Sequence, residues 1–342
     1  MDYSKIDKGL CRIHSVIGSV NPHPYNIEAE RKKVFQNRLY NPVFRYMRNT
    51  KSSSRLKSEL LQMRFDSSVI GKLLKEKARE YMLKISLIES LGTPRVTQHS
   101  ISLYGSPSKE LVARASKFLT QSKYSRSEAM SYSGVGAVKK FIDVFMTKGL
   151  NWKVETRSMA VRAAINAEKR VLYLNKDRTF SDLAIKKLMI HEVGTHVMRA
   201  ENGRKQHLRL FTIGFPDYLA TEEGLAVYNE EAAGVLTKAD IMGYAGRTVA
   251  VDLGLKNSFS TVYNALLEYF PKEEAFSLAA RAKRGLSDTS KPGGFTKDYL
   301  YLKGYIDVKS YIRRGGRIDL LYKGKIGIKH VPLLKKLNGN II

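Results

Sequence analysis

The sequence predicts a mainly helical α+β fold with a small β-sheet. Apolar residues recur every three or four positions over long stretches, such as Leu56 to Leu91, and this is the period of amphipathic helices. Three short segments between residues 152 and 175 have the composition of strands, and the last two read as a hairpin. Ser181 to Ala200 follows them as an apolar helix that carries two histidines and a glutamate.

We divide the chain near residue 130. Residues 1–130 predict an N-terminal helical region, in which His99–Pro107 reads as a short extended segment and turn. Residues 131–342 predict a second region, which begins with a helix and the three strands. Four further helices are predicted after the histidine-bearing helix, at 221–236, 247–253, 257–269 and 272–283.

Composition limits the classes of protein that the chain can represent. With 342 residues, of which 43% are hydrophobic, it can bury a sizeable core. No stretch reaches the roughly 18 apolar residues of a membrane span, and the first residues lack the apolar run of a signal peptide. The single cysteine, Cys11, fits a reducing compartment. We therefore expect a cytoplasmic protein without a transmembrane segment.

The net charge of +27 is the strongest compositional signal. A charge of this size predicts attraction to a polyanion, which includes nucleic acid, an anionic membrane and an acidic protein tail. Charge alone does not choose among these partners, so nucleic acid is not excluded.

His191, Glu192 and His196 form an H-E-x-x-x-H pattern. Imidazole is a common zinc ligand, and a glutamate beside a ligand histidine is a typical general base. On a regular helix, residues five apart point about 140° away from each other, so both rings could not face one ion. A π-bulge would restore a common face, and Gly194 tolerates such a distortion. The pattern therefore predicts a metal site on a distorted helix.

The third ligand is expected from Thr221–Ala226, a segment that reads T-E-E-G-L-A. Thr221 predicts an N-cap, with Glu222 and Glu223 in the first helical turn. Both carboxylates could simply complement the helix dipole, or one of them could complete a site with two histidines, one glutamate and an open position. In the gluzincin aminopeptidases the ligand glutamate directly precedes a glycine, and this resemblance favours Glu223.

Two stretches resemble a known family. H-E-V-G-T-H followed by E-E-G-L-A is similar to the QEGLA-motif zinc metallopeptidases, which include the microtubule-associated tyrosine carboxypeptidases. Residues 281–304 resemble the same members through their R-x-K-R-G, D-T-S, P-G and K-D-x-x-Y-L-x-G elements. Those members remove the C-terminal tyrosine of α-tubulin, so tubulin is a candidate substrate by resemblance only.

The resemblance implies a zincin-like metallocarboxypeptidase core in residues 131–342, with a C-terminal substrate-binding segment. One zinc ion would be held by His191, His196 and Glu223, and Glu192 would act as the general base. The substrate would be a protein or peptide that ends in an acidic tail, from which a terminal residue, tyrosine or another aromatic, is removed.

Substrate contacts are predicted from the same comparison. Arg284 and Lys297 lie in the R-G and K-D elements, and we expect them to bind the terminal carboxylate by charge-assisted hydrogen bonds. Tyr301 and Arg199 are candidate donors for the developing oxyanion. Two other functions fit the sequence: a basic polyanion-binding protein of the same fold with little activity, and a zinc endopeptidase.

Overall fold

The computed structural model of the protein describes residues 2–18, 20, 22–47, 50, 52–125, 130–159 and 161–337. Helices predominate among these residues and two small β-sheets accompany them, so the predicted mainly helical α+β class is confirmed. The chain forms two compact units, Met1–Ser125 with Lys238–Lys303, and Arg126–Thr237 with Gly304–Ile342. The predicted division near residue 130 into functional regions stays a prediction.

The first unit is built from helices that follow one another along two segments of the chain. Its elements are α1 (Tyr3–Ile17), α2 (Ile27–Gln36), α3 (Ser53–Gln62), α4 (Val69–Glu89), α5 (Arg95–Tyr104), α6 (Lys109–Thr120), α12 (Lys238–Lys256), α13 (Phe259–Leu266), α14 (Lys272–Lys283) and a 3-10 turn (Lys297–Tyr299).

The periodic stretch that begins near residue 56 forms two helices, because a new helix starts after Ser68, whose hydroxyl accepts a hydrogen bond from Gly71 N at 3.0 Å. The extended segment predicted at 99–107 is wrong, since residues up to Tyr104 belong to α5. Val96 and Leu103 are buried seven residues apart, which places them on one face of that helix.

The second unit contains the strands and the histidine-bearing helix. Its elements are β1 (Tyr132–Ser133), α7 (Val138–Thr147), β2 (Lys153–Arg157), β3 (Ala163–Asn166), β4 (Val171–Asn175), β5 (Thr179–Phe180), α8 (Asp182–Leu188), a π-helix (Met189–Val197), α9 (Met198–Arg204), α10 (Leu210–Ile213) and α11 (Leu219–Ala232). The later elements are α15 (Leu300–Arg313), which begins in the first unit, α16 (Ile318–Leu321), a 3-10 turn (Ile328–His330) and α17 (Val331–Leu337).

The three-stranded sheet has the order β2-β4-β3. β4 pairs with β2 in parallel and with β3 antiparallel, so the predicted hairpin is confirmed. Leu172 and Leu174 of β4 are fully buried, and they belong to the same hydrophobic core as Val193 and Val197 of the π-helix. The sheet thus supports one side of the helix that carries the histidines.

The histidine-bearing helix begins as predicted. The Ser181 hydroxyl accepts a hydrogen bond from Ala184 N at 3.0 Å and caps α8, and Asp182 lies in the first turn. The helix then widens into the π-helix between Met189 and Val197 and returns to α-helical geometry in α9. The distortion predicted from the histidine spacing is therefore confirmed.

Helices α11 and α15 approach each other backbone to backbone. A Cβ atom on Gly224 would lie 2.0 Å from the carbonyl carbon of Gly304, and one on Gly304 would lie 1.8 Å from the carbonyl oxygen of Ala220. Thr221 does not cap α11, as the sequence suggested, because the helix already begins at Leu219. Its hydroxyl instead accepts a hydrogen bond from Ile328 N at 3.0 Å.

We expect Gly304→Ala to destabilise the protein by about 1–3 kcal/mol or more, because the added methyl group has no space at this helix crossing. The free energy of unfolding in denaturant measures the effect. Gly243→Ala is the matched control, since a Cβ there meets nothing within 4 Å and lies inside α12. The control should be neutral or stabilising by up to about 1 kcal/mol. Equal stability of the two variants would contradict the close approach.

Candidate metal centre

Three side chains of the second unit converge at one point. The Nε2 atoms of His191 and His196 lie 3.7 and 3.8 Å from the same carboxylate oxygen, Oε2 of Glu223. One ligand atom from each of the three residues lies within 4.8 Å of the others, and the group is largely buried. Among the residues described, this is the His, Cys, Asp and Glu cluster whose geometry can hold a metal ion.

The π-helix brings the two imidazoles together. The wider turn makes residues five apart neighbours, since its hydrogen bonds run from i to i+5. The ring centroids of His191 and His196 are 4.9 Å apart and the rings are nearly perpendicular, at 79°. Both Nε2 atoms can therefore face the same point, which an α-helix with this spacing could not achieve.

The other nitrogen of each imidazole is held by a carboxylate from α11. His191 Nδ1 lies 2.6 Å from Glu230 Oε1, and His196 Nδ1 lies 2.9 Å from Glu222 Oε1. Burial lowers the pKa of His191, but the hydrogen bonds to Glu223 and Glu230 raise it well above its ordinary value. Carboxylates in this position fix the orientation of a ligand histidine and increase its basicity.

The carboxylate of Glu222 is in turn held by a buried arginine. Arg199 is fully buried and donates from Nη1 to Glu222 Oε2, while its other nitrogens donate to the carbonyl oxygens of Leu321, Gly324 and Ile326. Burial would raise the pKa of Glu222, but Arg199 and other nearby positive groups lower it to about 2. The arginine therefore connects the histidine support to the 321–326 segment.

Side chains donate hydrogen bonds to two carbonyl oxygens of the π-helix. Tyr322 donates its hydroxyl to Gly194 O at 3.0 Å, and Thr195 Oγ1 donates to Ile190 O at 3.2 Å. Asn229 Nδ2 donates to both hydroxyl oxygens, at 2.8 Å to Tyr322 and 2.7 Å to Thr195. This network ties the π-helix to α11 and to the C-terminal part of the unit.

The donor set fits zinc. Two imidazoles and one carboxylate are a common set for a catalytic zinc ion that keeps one position open. Bonds of about 2.0–2.2 Å around a tetrahedral ion place the donors roughly 3.3–3.5 Å apart. The separations of 3.7 and 3.8 Å between Glu223 and the two histidines come within a few tenths of an ångström of that value.

The residues predicted to bind substrate lie in two places. Arg199 is buried and holds Glu222, which in turn holds one ligand of the group formed by His191, His196 and Glu223, called the metal group below. Arg284 is a buried residue of the first unit, and its Nη2 donates to Asp298 Oδ1 at 2.9 Å. Lys297 begins the 3-10 turn and is partly buried. The Tyr301 ring stacks on Tyr244 at a centroid distance of 5.6 Å.

Several residues of the site were not predicted from the sequence. Glu230 could have been found, because it lies seven residues after Glu223 and therefore on the same face of α11. The second histidine partner, Glu222, was considered only as an alternative metal ligand. Tyr322 and Lys325 follow Glu222 by 100 and 103 residues, in a segment whose sequence carries no recognisable motif. Only the tertiary structure brings them to the site.

We expect Glu230→Gln to weaken zinc binding by about 10- to 100-fold, because the amide holds the His191 ring less strongly and lowers its basicity. Competition with a chromophoric chelator measures the affinity. Glu231→Gln is the matched control, since the adjacent carboxylate pairs with Lys309 at 2.7 Å and does not contact a histidine. Equal zinc affinity of the two variants would contradict the supporting role of Glu230.

In the part of the chain that the structure describes, no helix combines the length and the apolar character needed to cross a bilayer.

The chain is similar to known proteins over most of its length. "Microtubule-associated tyrosine carboxypeptidase 1" of Mus musculus is 25% identical over 325 residues, which cover 91% of this chain and 61% of the relative.

Two human proteins are also similar. "Microtubule-associated tyrosine carboxypeptidase 1" is 30% identical over 159 residues, which cover 43% of this chain and 32% of the relative. "Putative tyrosine carboxypeptidase MATCAP2" is 30% identical over 160 residues, which cover 44% and 29%. The chain thus spans less than two thirds of the length of each of these relatives. The family model described as "Microtubule-associated tyrosine carboxypeptidase" matches residues 34–341, and the chain therefore belongs to this family.

Proposed function

We propose that this protein is a zinc metallocarboxypeptidase that removes a C-terminal residue from a protein or peptide with an acidic tail. The observation that carries the proposal is the meeting of His191 Nε2, His196 Nε2 and Glu223 Oε2, with Glu192 directly beside the first ligand in the chain. Family membership supports the same reaction, and the relatives are named for tyrosine carboxypeptidase activity.

The residues of this chain would divide the work of peptide hydrolysis. His191, His196 and Glu223 would hold the zinc ion, which when bound supplies an electrophile for the scissile carbonyl and a lower pKa for water. Glu192 would take a proton from the attacking water and deliver it to the leaving amine. Glu230 and Glu222 would keep the two imidazoles turned toward the ion.

The edge strand β3 of the three-stranded sheet could bind the main chain of the substrate. β3 packs against the π-helix and pairs with β4 on one side. Arg162 O accepts from Asn175 N, and the alternation of antiparallel pairing then directs the backbone groups of Ala163 and Ile165 away from β4. An extended peptide could pair with these groups as an added strand.

Among the predicted substrate contacts, Arg199 is given a different role in this proposal. A fully buried guanidinium that holds Glu222 and three carbonyl oxygens positions the site and does not reach substrate. The oxyanion role of Tyr301 and the carboxylate-binding roles of Arg284 and Lys297 remain proposals that rest on their place in the family elements.

A peptide panel tests the function. We expect the zinc-loaded protein to release the terminal tyrosine from an acidic peptide, as followed by mass spectrometry, and to leave the same peptide with a C-terminal amide largely intact. The reason is that an exopeptidase recognises the free carboxylate by charge-assisted hydrogen bonds. Equal cleavage of both peptides would indicate an endopeptidase, and cleavage of neither, with zinc bound, would favour a binding protein.

The same panel tests the role of the net charge of +27. Surface charges act over long distances and are screened within about 8 Å at physiological ionic strength. We expect added salt to slow cleavage of acidic peptides more than cleavage of neutral ones, because electrostatic attraction raises the encounter rate. An equal response to salt would show that the positive charge does not attract the acidic tail.

A further inference from the structure

Lys325 is a buried cation beside the metal group to which the sequence assigned no role. It lies between α16 and the 3-10 turn at Ile328–His330, and 9% of its surface is exposed. Its backbone is fixed on both sides, because Lys325 N donates to Phe211 O at 2.7 Å and Lys325 O accepts from Phe215 N at 2.9 Å. The side chain is therefore presented from a well-held segment.

The ammonium group of Lys325 is not satisfied by the residues that the structure describes. The nearest carboxylate oxygen is Glu222 Oε1, at 3.8 Å from Nζ, which is too long for a hydrogen bond. Glu222 does not depend on this contact, since Arg199 and His196 already hold its two oxygens. Lys325 Nζ is not a fully buried atom, so a ligand can reach it and accept the hydrogen bonds that the protein does not use.

Carboxylates of the proposed reacting centre contribute to the electrostatic surroundings of Lys325. Burial lowers its pKa, and the carboxylates of Glu222, Glu223 and Glu192 act in the opposite direction. Two of these three residues are the glutamates that the proposed function assigns to metal binding and proton transfer. Lys325 thus shares its electrostatic surroundings with the two glutamates of the proposed reaction.

The dimensions of a peptide indicate what this cation would meet. The terminal carboxylate carbon lies about 3–4 Å from the scissile carbonyl carbon, because one N–Cα–C unit separates them. Lys325 Nζ lies 3.8 Å from Glu222 Oε1, which in turn lies 2.9 Å from Nδ1 of the proposed ligand His196. We propose that Lys325 binds the terminal α-carboxylate of the substrate, an inference that rests on the proposed carboxypeptidase function.

Lys325 is thus an alternative to Arg284 and Lys297, to which the sequence assigned the recognition of the same carboxylate. An ammonium ion gives a carboxylate up to three charge-assisted hydrogen bonds, and the low exposure of the site strengthens each of them. A group that stabilises the oxyanion would instead have to lie within hydrogen-bond distance of the attacked carbonyl oxygen. The two roles differ in their effect on substrates that lack the carboxylate.

Binding without turnover provides the most direct test. We use the zinc-loaded Glu192→Gln protein and a fluorescent acidic peptide that ends in tyrosine, either as the free acid or as the amide. Adding Lys325→Met should weaken binding of the free acid by about 10- to 100-fold, the scale of a lost hydrogen bond to a charged group. Binding of the amide should change less than about twofold, since the amide lacks the charge that Lys325 recognises.

Kinetics and matched variants separate this role from a structural one. In the protein with Glu192 intact, Lys325→Met should raise KM for the free acid more than it lowers kcat, and Lys325→Arg should recover part of the loss. Lys323→Met removes the same charge from an exposed position two residues away and should change neither binding nor KM. If Lys325→Met loses zinc or lowers Tm, Lys325→Gln is compared in its place.

Three results would overturn the proposal. Equal weakening of the acid and the amide would indicate a structural role, and unchanged binding of both would show that Lys325 does not contact the substrate terminus. A loss of kcat for both peptides without a change in binding would assign Lys325 to the attacked carbonyl. If binding discriminates through Lys325 while the intact protein cleaves neither peptide, the carboxylate site stands and the proposed peptidase function fails.

Discussion

Glu192→Gln is expected to retain zinc and to lose at least about 100-fold in the rate of peptide cleavage. The amide has nearly the shape of the carboxylate, but it cannot take a proton from water at neutral pH. The metal group is unaffected by the change, because the imidazoles and Glu223 meet one another without a contribution from Glu192. Zinc analysis and kcat measured on the same preparation test both halves of the expectation.

Glu201→Gln serves as the control for this variant. Glu201 is also a carboxylate of the histidine-bearing segment, but it accepts hydrogen bonds from Trp152 and Arg170 away from the metal group. We expect the control to lower the free energy of unfolding. Its kcat should stay close to that of the wild type at a temperature where the protein is folded. Near-normal turnover in a zinc-loaded Glu192→Gln enzyme would mean that the general base is another group.

Replacing both histidines, His191→Ala with His196→Ala, is expected to abolish stoichiometric zinc binding and, with it, cleavage. Glu223 alone offers a single carboxylate, and three protein ligands are the usual minimum for a catalytic zinc ion. The wild-type protein should bind about one zinc ion per chain. Metal analysis after dialysis against a weak chelator, together with the peptide assay, measures both losses.

His207→Ala is the control for the double variant, because His207 is exposed and does not belong to the metal group. Circular dichroism should show that both variants stay helical, so that loss of zinc is not caused by unfolding. Unchanged zinc content in the double variant would mean that the metal group is not the zinc site.

The metal group was predictable because its parts are local in sequence. The two histidines lie on one segment, and the spacing itself required the π-distortion that the structure contains between Met189 and Val197. Glu223 was favoured by a motif of a few residues. Glu230, the partner of His191, could be found from helix periodicity, since it lies seven residues after Glu223, which is close to two full turns.

The contacts that hold this group in place were not predictable. Arg199 and Tyr322 act on carbonyl oxygens and carboxylates whose positions depend on how distant segments pack. From the sequence, Arg199 was a candidate for substrate binding. Periodicity alone does not reveal that this charged residue is fully buried. The extended segment predicted at 99–107 is wrong for a similar reason, since short alternating runs of serine and apolar residues fit either a strand or a helix, and packing on α4 favours the helix.

An extra residue in a regular helix rotates everything beyond it by about 100°. Here the wide turn takes up that rotation, so α9 leaves it with Arg199 still facing Glu222. Removing Gly194 would return the histidines to a spacing of four, which an ordinary helix can aim at one ion. A helix with histidines five residues apart and a helix with histidines four residues apart thus differ by one inserted residue, and both can direct two imidazole rings at one point.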